Sequence, residues 1–178
     1  MARRGNWCDV PEGGAPHWKP SAISFTRFLP RSEPKLNDAL WQAYERTRFL
    51  ADTPLGRIEI RVKHPSPLLD TLLDEHGAWT WAYITAFNPG STRLPDYEND
   101  ERHALLVNAV RAAGHPAFGG EGVGEDGAWP AERSLLILGI AIEDATAIGA
   151  RFGQVAIVAG RRGAAAVLVP CLTPQSPD

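Results

Sequence analysis

The sequence predicts an α/β domain, with α+β as the alternative. The expected form is a layered sandwich with helices packed on a mixed central sheet of about five to seven strands and antiparallel hairpins at the ends. Three observations carry this. Apolar residues make up 44% of the 178 residues, enough to fill a core. Runs with helical spacing alternate with short apolar runs through the middle of the chain. Pairs of strand-like segments joined by glycine-containing turns stand at either end of the folded body.

Residues 1–34 come first and are rich in turn formers: Pro11, Gly13, Gly14, Pro16, Pro20, Pro30 and Pro34. They read as a weakly structured extension with one short candidate strand, Ile23–Phe28. Trp7, Trp18, Phe25 and Phe28 are unusual in a free tail and suggest that it pins onto the domain or onto a second copy. Residues 35–170 read as a single domain, and 171–178 as a disordered tail.

Within the domain, Leu36, Leu40, Trp41 and Tyr44 recur at helical spacing. Arg57–Lys63 alternates strictly and predicts a strand with one wet face, pairing with Arg48–Ala51 through the Asp52–Gly56 turn. Ser66 and Pro67 open a helix with Leu68, Leu69, Leu72 and Leu73 as its core stripe, and Gly77 ends it. Ala78–Phe87 is apolar on both faces, as a central strand should be, and places Trp79 and Trp81 in the core. Asp96 is expected to cap the next helix, with Glu98, Asp100 and Glu101 suiting its dipole. Ala104, Leu105, Ala109 and Val110 form the apolar face of this helix, and Gly114 and Pro116 stop it. Gly119–Gly127 reads as a loop, Ser134–Ile140 as a buried strand and Glu143–Phe152 as a helix. Val155–Val158 and Ala166–Val169 flank Gly160–Gly163 as a terminal hairpin.

Composition excludes several function classes. A formal charge of −3 supplies no general field for nucleic acid. Arg46, Arg48, Arg57, Arg61 and Lys63 are the only support for that role, and an edge strand carries such charges to resist aggregation. Cys8 and Cys171 have neither a CxxC partner nor histidine at metal-ligand spacing, so no metal site is expected, and a disulfide joining the two tails is the minor reading. Basic residues near Met1 are followed by no apolar stretch, and the longest apolar run, Leu135–Ile142, is too short to span a bilayer. The expectation is a reduced, cytoplasmic protein without a membrane segment or cofactor.

Chemistry-bearing residues gather after the central strand. In Asn88-Pro89-Gly90-Ser91-Thr92, amide and hydroxyl groups stand where a strand ends, Gly90 permits close approach to the backbone, and a helix N-terminus follows. The competing reading is that Asn88 and Ser91 bond only their own turn. Arg93 and Arg102 could hold an anion, and Arg102 could equally pair with Glu98. The formal GxGxxG at Gly122, Gly124 and Gly127 lacks the helix that a dinucleotide site needs. Glu121, Glu125 and Asp126 would repel a pyrophosphate, so an acidic lid is the better reading. Glu132 enters an apolar strand and is the one acid/base candidate, and Gln154 is a candidate orienting amide. No histidine pair, serine elbow or Walker loop occurs.

Thr85-Ala86-Phe87-Asn88-Pro89, then Ser91 and Asn99, Glu132-x-Ser134, and Phe152-Gly153-Gln154 before an apolar strand together resemble the bacterial family known as domain of unknown function 3293. The resemblance runs from about Tyr44 to Val169. It implies no activity, but it singles out Thr85, Asn88, Pro89, Ser91, Asn99, Glu132, Ser134 and Gln154 as family-typical positions. Two functional readings follow. In the first, the domain binds a small polar or nucleotide-like ligand through Thr85, Asn88, Ser91, Asn99, Arg102, Ser134 and Gln154, with Glu132 as acid/base if chemistry occurs. That reading requires Asn88, Glu132 and Gln154 to converge. In the second, the chain is a non-catalytic interaction or regulatory module that self-associates or meets a partner through its N-terminal extension and the Arg161-Arg162 hairpin.

Overall fold

The computed structural model describes residues 38–125 and 130–171. The N-terminal extension, Leu36, Cys8, residues 126–129 and residues 172–178 lie outside the described residues, and with them the readings made for those segments. The order of elements is α1 (Asp38–Arg46), β1 (Arg48–Thr53), β2 (Gly56–Ile60), α2 (Pro67–Glu75), β3 (Thr80–Thr85), a 3-10 turn (Pro89–Ser91), α3 (Asp96–Ala112), β4 (Ala117–Val123), β5 (Glu132–Leu138), α4 (Ile142–Arg151), β6 (Ala156–Arg161) and β7 (Val167–Pro170). Helices packed on one sheet make this the α/β layering the sequence predicts, and the two terminal hairpins β1–β2 and β6–β7 form as expected. No helix among the described residues is long and apolar enough to cross a membrane.

The sheet has seven strands in the order β2-β1-β4-β5-β3-β6-β7. All six of its ladders are antiparallel, so the expected mixed sheet is corrected. The reason lies in the crossovers. β3 and β4 run in the same direction and are joined by helix α3, as in a βαβ unit, but β5 slots between them antiparallel to both. In the same way β5 and β6 are joined by α4, and β3 lies between them. Two split βαβ units therefore interleave, and helical alternation in the sequence yields no parallel ladder.

The sheet curls into a half-barrel, and its two edges meet. Just past β2, Val62 bridges to Ala166, just before β7, in the one parallel pairing among the described residues. The Lys63 N–H donates to the Ala166 carbonyl at 2.8 Å, and the Ala166 N–H donates to His64 O at 3.2 Å. The inner face carries Phe49, Ala51, Ile58, Ile60, Trp81, Tyr83, Leu136, Leu138, Val158 and Leu168, closed by Leu69, Leu72 and Leu73 of α2. The outer face carries Ala82, Ile84, Leu135, Ile137, Ile157 and Ala159, covered by Leu106 and Val110 of α3 and by Ala145 and Phe152 beside α4. Successive residues of β3, β5 and β6 thus serve two different cores, which is why these strands read as continuously apolar.

Several local expectations are corrected. Gly119–Val123 is not a loop but the second half of β4, laddered on both sides. The bare backbone of Gly120 is what permits this. A Cβ there would lie 1.9 Å from the Leu50 carbonyl oxygen and 2.7 Å from the Tyr83 hydroxyl, which itself donates to that carbonyl at 2.6 Å. Asp96 is the first residue of α3 rather than its cap. Pro95 takes the cap position and makes no side-chain cap bond. The buried face of α3 is Asn99, Arg102, His103, Leu106 and Val110, while Ala104 is exposed. Leu68 also faces solvent, being the residue of α2 that points away from the sheet. Trp79 precedes β3 and is 55% exposed, its ring covered by the Arg162 guanidinium at 4.4 Å, so only Trp81 of the pair is core.

Two substitutions check this account by urea denaturation. Gly120→Ala is expected to cost about 3 kcal/mol, because backbone rather than a flexible side chain must yield. Tyr83→Phe, which leaves the Leu50 carbonyl without its hydroxyl donor, is expected to cost about 1–2 kcal/mol.

Candidate functional site

The neighbouring strands β5, β3 and β6 bring their polar ends to one rim of the half-barrel. Glu132 opens β5, Thr85 closes β3 opposite Ser134, and Gln154 lies two residues before β6. Side-chain alternation then sets their direction. Thr85 shares the inner face with Tyr83, Glu132 and Ser134 share it with Leu136, and Gln154 shares it with Ala156 and Val158. Below this rim lies a cavity of about 400 Å³. Thr85, Asn88, Ser91, Glu132, Ser134 and Gln154 line its polar side, and Phe49, Tyr83, Val158 and Leu168 its apolar side. Tyr44 and Leu40 of α1 form one wall.

The Asn88 turn is held in an unusual conformation. Asn88, Gly90 and Ser91 have φ of 46°, 62° and 56°, all left-handed. At Ser91 this costs about 1–2 kcal/mol, whereas Asn and Gly tolerate it better. Hydrogen bonds hold the turn there. The Gly90 N–H donates to Gly153 O at 2.8 Å, and the Ser91 and Tyr44 hydroxyls share a hydrogen bond of 3.2 Å. The Asn88 amide oxygen accepts from the Leu94 N–H at 2.9 Å and from Asn99 Nδ2 at 3.0 Å. Its Nδ2 donates to Glu132 Oε1 at 2.6 Å, and Asn99 Oδ1 accepts from the Asn88 N–H at 2.9 Å. The two asparagines form a buried reciprocal clamp that aims the Asn88 amide at the carboxylate.

Asn88, Glu132 and Gln154 therefore do converge. Gln154 Nε2 donates to the carbonyl of Phe87, next to Asn88, at 2.8 Å. The remaining positions divide. Thr85 Oγ1 donates to Arg133 O at 2.8 Å and accepts from the Phe87 N–H at 3.0 Å, and Ser134 Oγ donates to Glu132 O at 3.0 Å. Both still face the cavity. Asn99 and Arg102 do not line it. Arg102, 1% exposed, donates through Nε to Ala86 O at 2.7 Å and through Nη2 to Phe152 O. Burial lowers its pKa, against the opposing pull of Glu98. Bonded to these two backbone carbonyls, the guanidinium staples the end of β3 to the end of α4. The N-terminus of α3 likewise lies away from the cavity lining, and Arg93 is exposed.

Tyr44, Phe49 and Tyr83 line the site without having been singled out for it. The signal was available in part. Once Glu132 is taken as inward-facing, the two-residue period puts Tyr83 and Thr85 on the same face of the sheet. Tyr44, on a separate helix, left no such trace. Burial raises the pKa of Tyr44, the Ser91 bond opposes this, and the Glu132 charge reinforces it. Tyr83 is also raised by burial. Neither phenol is poised as a base. Cys171 is a free thiol that burial pushes up to about 12. Of the acidic lid, Glu121 lies in β4, bonded to Arg57 at 2.6 Å, and Glu125 stands exposed at the cavity mouth. The basic residues of β1, β2 and the segment just after β2 are each matched by carboxylate: Arg48 and Arg61 by Glu59, Arg57 by Asp52 and Glu121, and Lys63 by Glu45.

Residues 84–157 match the model of a family described as Protein of unknown function (DUF3293). No curated protein and no solved structure matches the chain. The matched span is shorter than the resemblance read from Tyr44 to Val169, yet it holds every residue from Thr85 to Gln154 discussed above.

The Asn88–Glu132 contact predicts a pH signature. Asn88→Ala, which removes buried hydrogen bonds, is expected to cost about 2–3 kcal/mol. Asn88→Asp would put two carboxylates in contact, raising their pKa values in the folded state. A raised folded pKa favours the fold at low pH and is lost as pH rises. The deficit in melting temperature of Asn88→Asp against the parent should therefore be largest at pH 7 and narrow towards pH 4.5, read by thermal denaturation across that range.

Proposed function

We propose that this chain, whose residues 84–157 match the DUF3293 family model, binds a small organic ligand in the mouth of the half-barrel, with its polar end on Glu132 and Gln154 and its apolar body over Phe49, Tyr83, Val158 and Leu168. The observation that carries the reading is the convergence of polar side chains from three strands and a strained turn on one cavity of about 400 Å³. That volume is in the range of small-molecule sites, which are mostly apolar with a few placed polar groups. A fold alone does not require a half-buried carboxylate or a left-handed Ser91 at this rim, and such features cluster where ligands bind.

Binding is favoured over catalysis. Ser91 has Tyr44 as its hydroxyl partner, and the raised pKa of Tyr44 makes it a poor general base. Phosphate-bearing nucleotides are also disfavoured, since the helix N-terminus and Arg102 stand away from the cavity. Asn88 and Asn99 serve as positioning residues that aim the carboxylate.

The reading is tested with the neutral fluorophore N-phenyl-1-naphthylamine and a variant that fills the cavity. Gly122 lines the cavity, and a Cβ there would meet nothing nearer than 3.9 Å, so Gly122→Leu enters the space without a backbone clash. Saturable binding of one dye per chain by the parent is expected. Gly122→Leu should weaken it at least about tenfold at an unchanged or higher melting temperature. Absence of saturable binding, or binding indifferent to Gly122→Leu, would overturn the reading.

A further inference from the structure

Helix α1 forms a wall of the cavity, and it is the least firmly seated helix of the described residues. Leu40, Ala43, Tyr44 and, just past the helix, Thr47 all line the cavity. Their spacing of i, i+3, i+4 and i+7 is one face of a helix, so the face that would ordinarily pack on a core lies over the cavity instead. Among the four α-helices of the described residues, α1 alone has no buried residue. Trp41 and Tyr44 pack half-buried against the inner core. Side chains of α1 reach the Asn88 turn through the 3.2 Å bond shared by Tyr44 and Ser91, and reach Lys63 through the 2.6 Å ion pair of Glu45. Lys63 is exposed, so that pair adds little. At nine residues α1 is also shorter than the about 12–15 at which an isolated helix holds its shape in water, so its helicity depends on its seat. One residue, Thr47, links it to β1, which is laddered on both sides. Thr47 is thus the joint between a fixed sheet and a loosely held helix.

From this we infer that α1 is the gate of the cavity: it unseats about Thr47 to admit a ligand and reseats on the ligand's apolar body. The gate rests on the small-ligand reading of this cavity and adds how the site opens and closes. A ligand on the inner face gives Leu40 and Tyr44 the apolar surface that the unfilled cavity withholds, so binding and seating favour each other. The seat also reaches the polar rim. Ser91 is held at a left-handed φ of 56° in the turn that carries Asn88, and its hydroxyl bonds to that of Tyr44. Unseating α1 takes that partner from the strained turn, which links closure of the gate to the order of the rim. Opening of a segment with so little burial lies at the low-energy end of local unfolding, where ligand-gating elements are found.

The test uses the full chain, N-phenyl-1-naphthylamine and hydrogen exchange read by mass spectrometry. Without dye, the amides of α1 are expected to exchange at least about a hundredfold faster than those of β3, and saturating dye should slow α1 at least about tenfold. A pair of variants then probes release. Gln42 is exposed on the face of α1 opposite Leu40 and does not line the cavity, so changing it alters the helix without touching the ligand. Gln42→Gly should release the dye about fivefold faster than Gln42→Ala in a rapid-dilution stopped-flow measurement, the difference in helix propensity between glycine and alanine. The exchange result on the parent stands whether or not either variant folds. The gate is overturned, and the cavity reading survives, if the dye binds but α1 exchanges as slowly as β3 without it, gains no protection from it, or lets it go at one rate in both variants. If no dye binds saturably, the cavity reading fails and takes the gate with it.

Discussion

The meeting of the two sheet edges organises the molecule. An open antiparallel sheet of seven strands would leave the outward faces of β2 and β7 unpaired, a standing invitation to association. Here the backbone just beyond β2 bonds to the backbone just before β7 at Val62 and Ala166, with Lys63 taking a left-handed φ of 68° at the junction. Joining the edges imposes the curl, and the curl divides one sheet into two environments. Its inner face is a core that α2 closes but does not fill to the rim. Its outer face is an ordinary helix-on-sheet layer beneath α3 and α4. The cavity is what remains of the inner space where the apolar filling stops.

Polar chemistry at that rim is held by groups that never touch the cavity. Arg102 is buried on the outer side, and its two carbonyl partners belong to the end of β3 and the end of α4. Those ends carry the Asn88 turn and the Phe152-Gly153-Gln154 corner. Gly90 and Gly153 then bond the turn to the corner directly. Asn99, three residues before Arg102 on the same helix, completes the clamp on Asn88. One face of α3 therefore aligns three strand ends, and the price is a helix whose buried stripe begins with an amide and a guanidinium. An arrangement that commits a buried charge to backbone carbonyls and holds Ser91 left-handed is what a rigid, preorganised rim requires.

Much of this was legible in the primary structure. The strict alternation of Arg57–Lys63 and the Gly-centred turns marked both hairpins, and the apolar run before Ile140 marked a buried strand. Asn88, Glu132 and Gln154 stood out as polar residues at strand ends, and they do meet. Other features were hidden for physical reasons. The core face of α3 was misplaced because Asn99 and Arg102 do the work usually given to leucines. β4 looked like a loop because Gly119, Gly120 and Gly122 lack β propensity, whereas its neighbours on both sides supply the ladder and Gly120 is needed where Tyr83 reaches Leu50. Trp79 looked like core because it continues the apolar run of β3, whereas its exposed ring lies under Arg162 of the turn between β6 and β7.

By itself, then, the sequence determined the local elements and the chemical character of one rim, since hydrophobic period, turn residues and strand-end polarity are short-range properties. Only the tertiary structure decided that β5 would slot between β3 and β4, that the backbone just beyond β2 would meet the backbone just before β7, and that Tyr44, Phe49 and Tyr83 would share a cavity with Glu132. Those outcomes rest on strand pairing and edge contact between residues far apart in the chain. Their energies come from surfaces that do not exist until the sheet has curled.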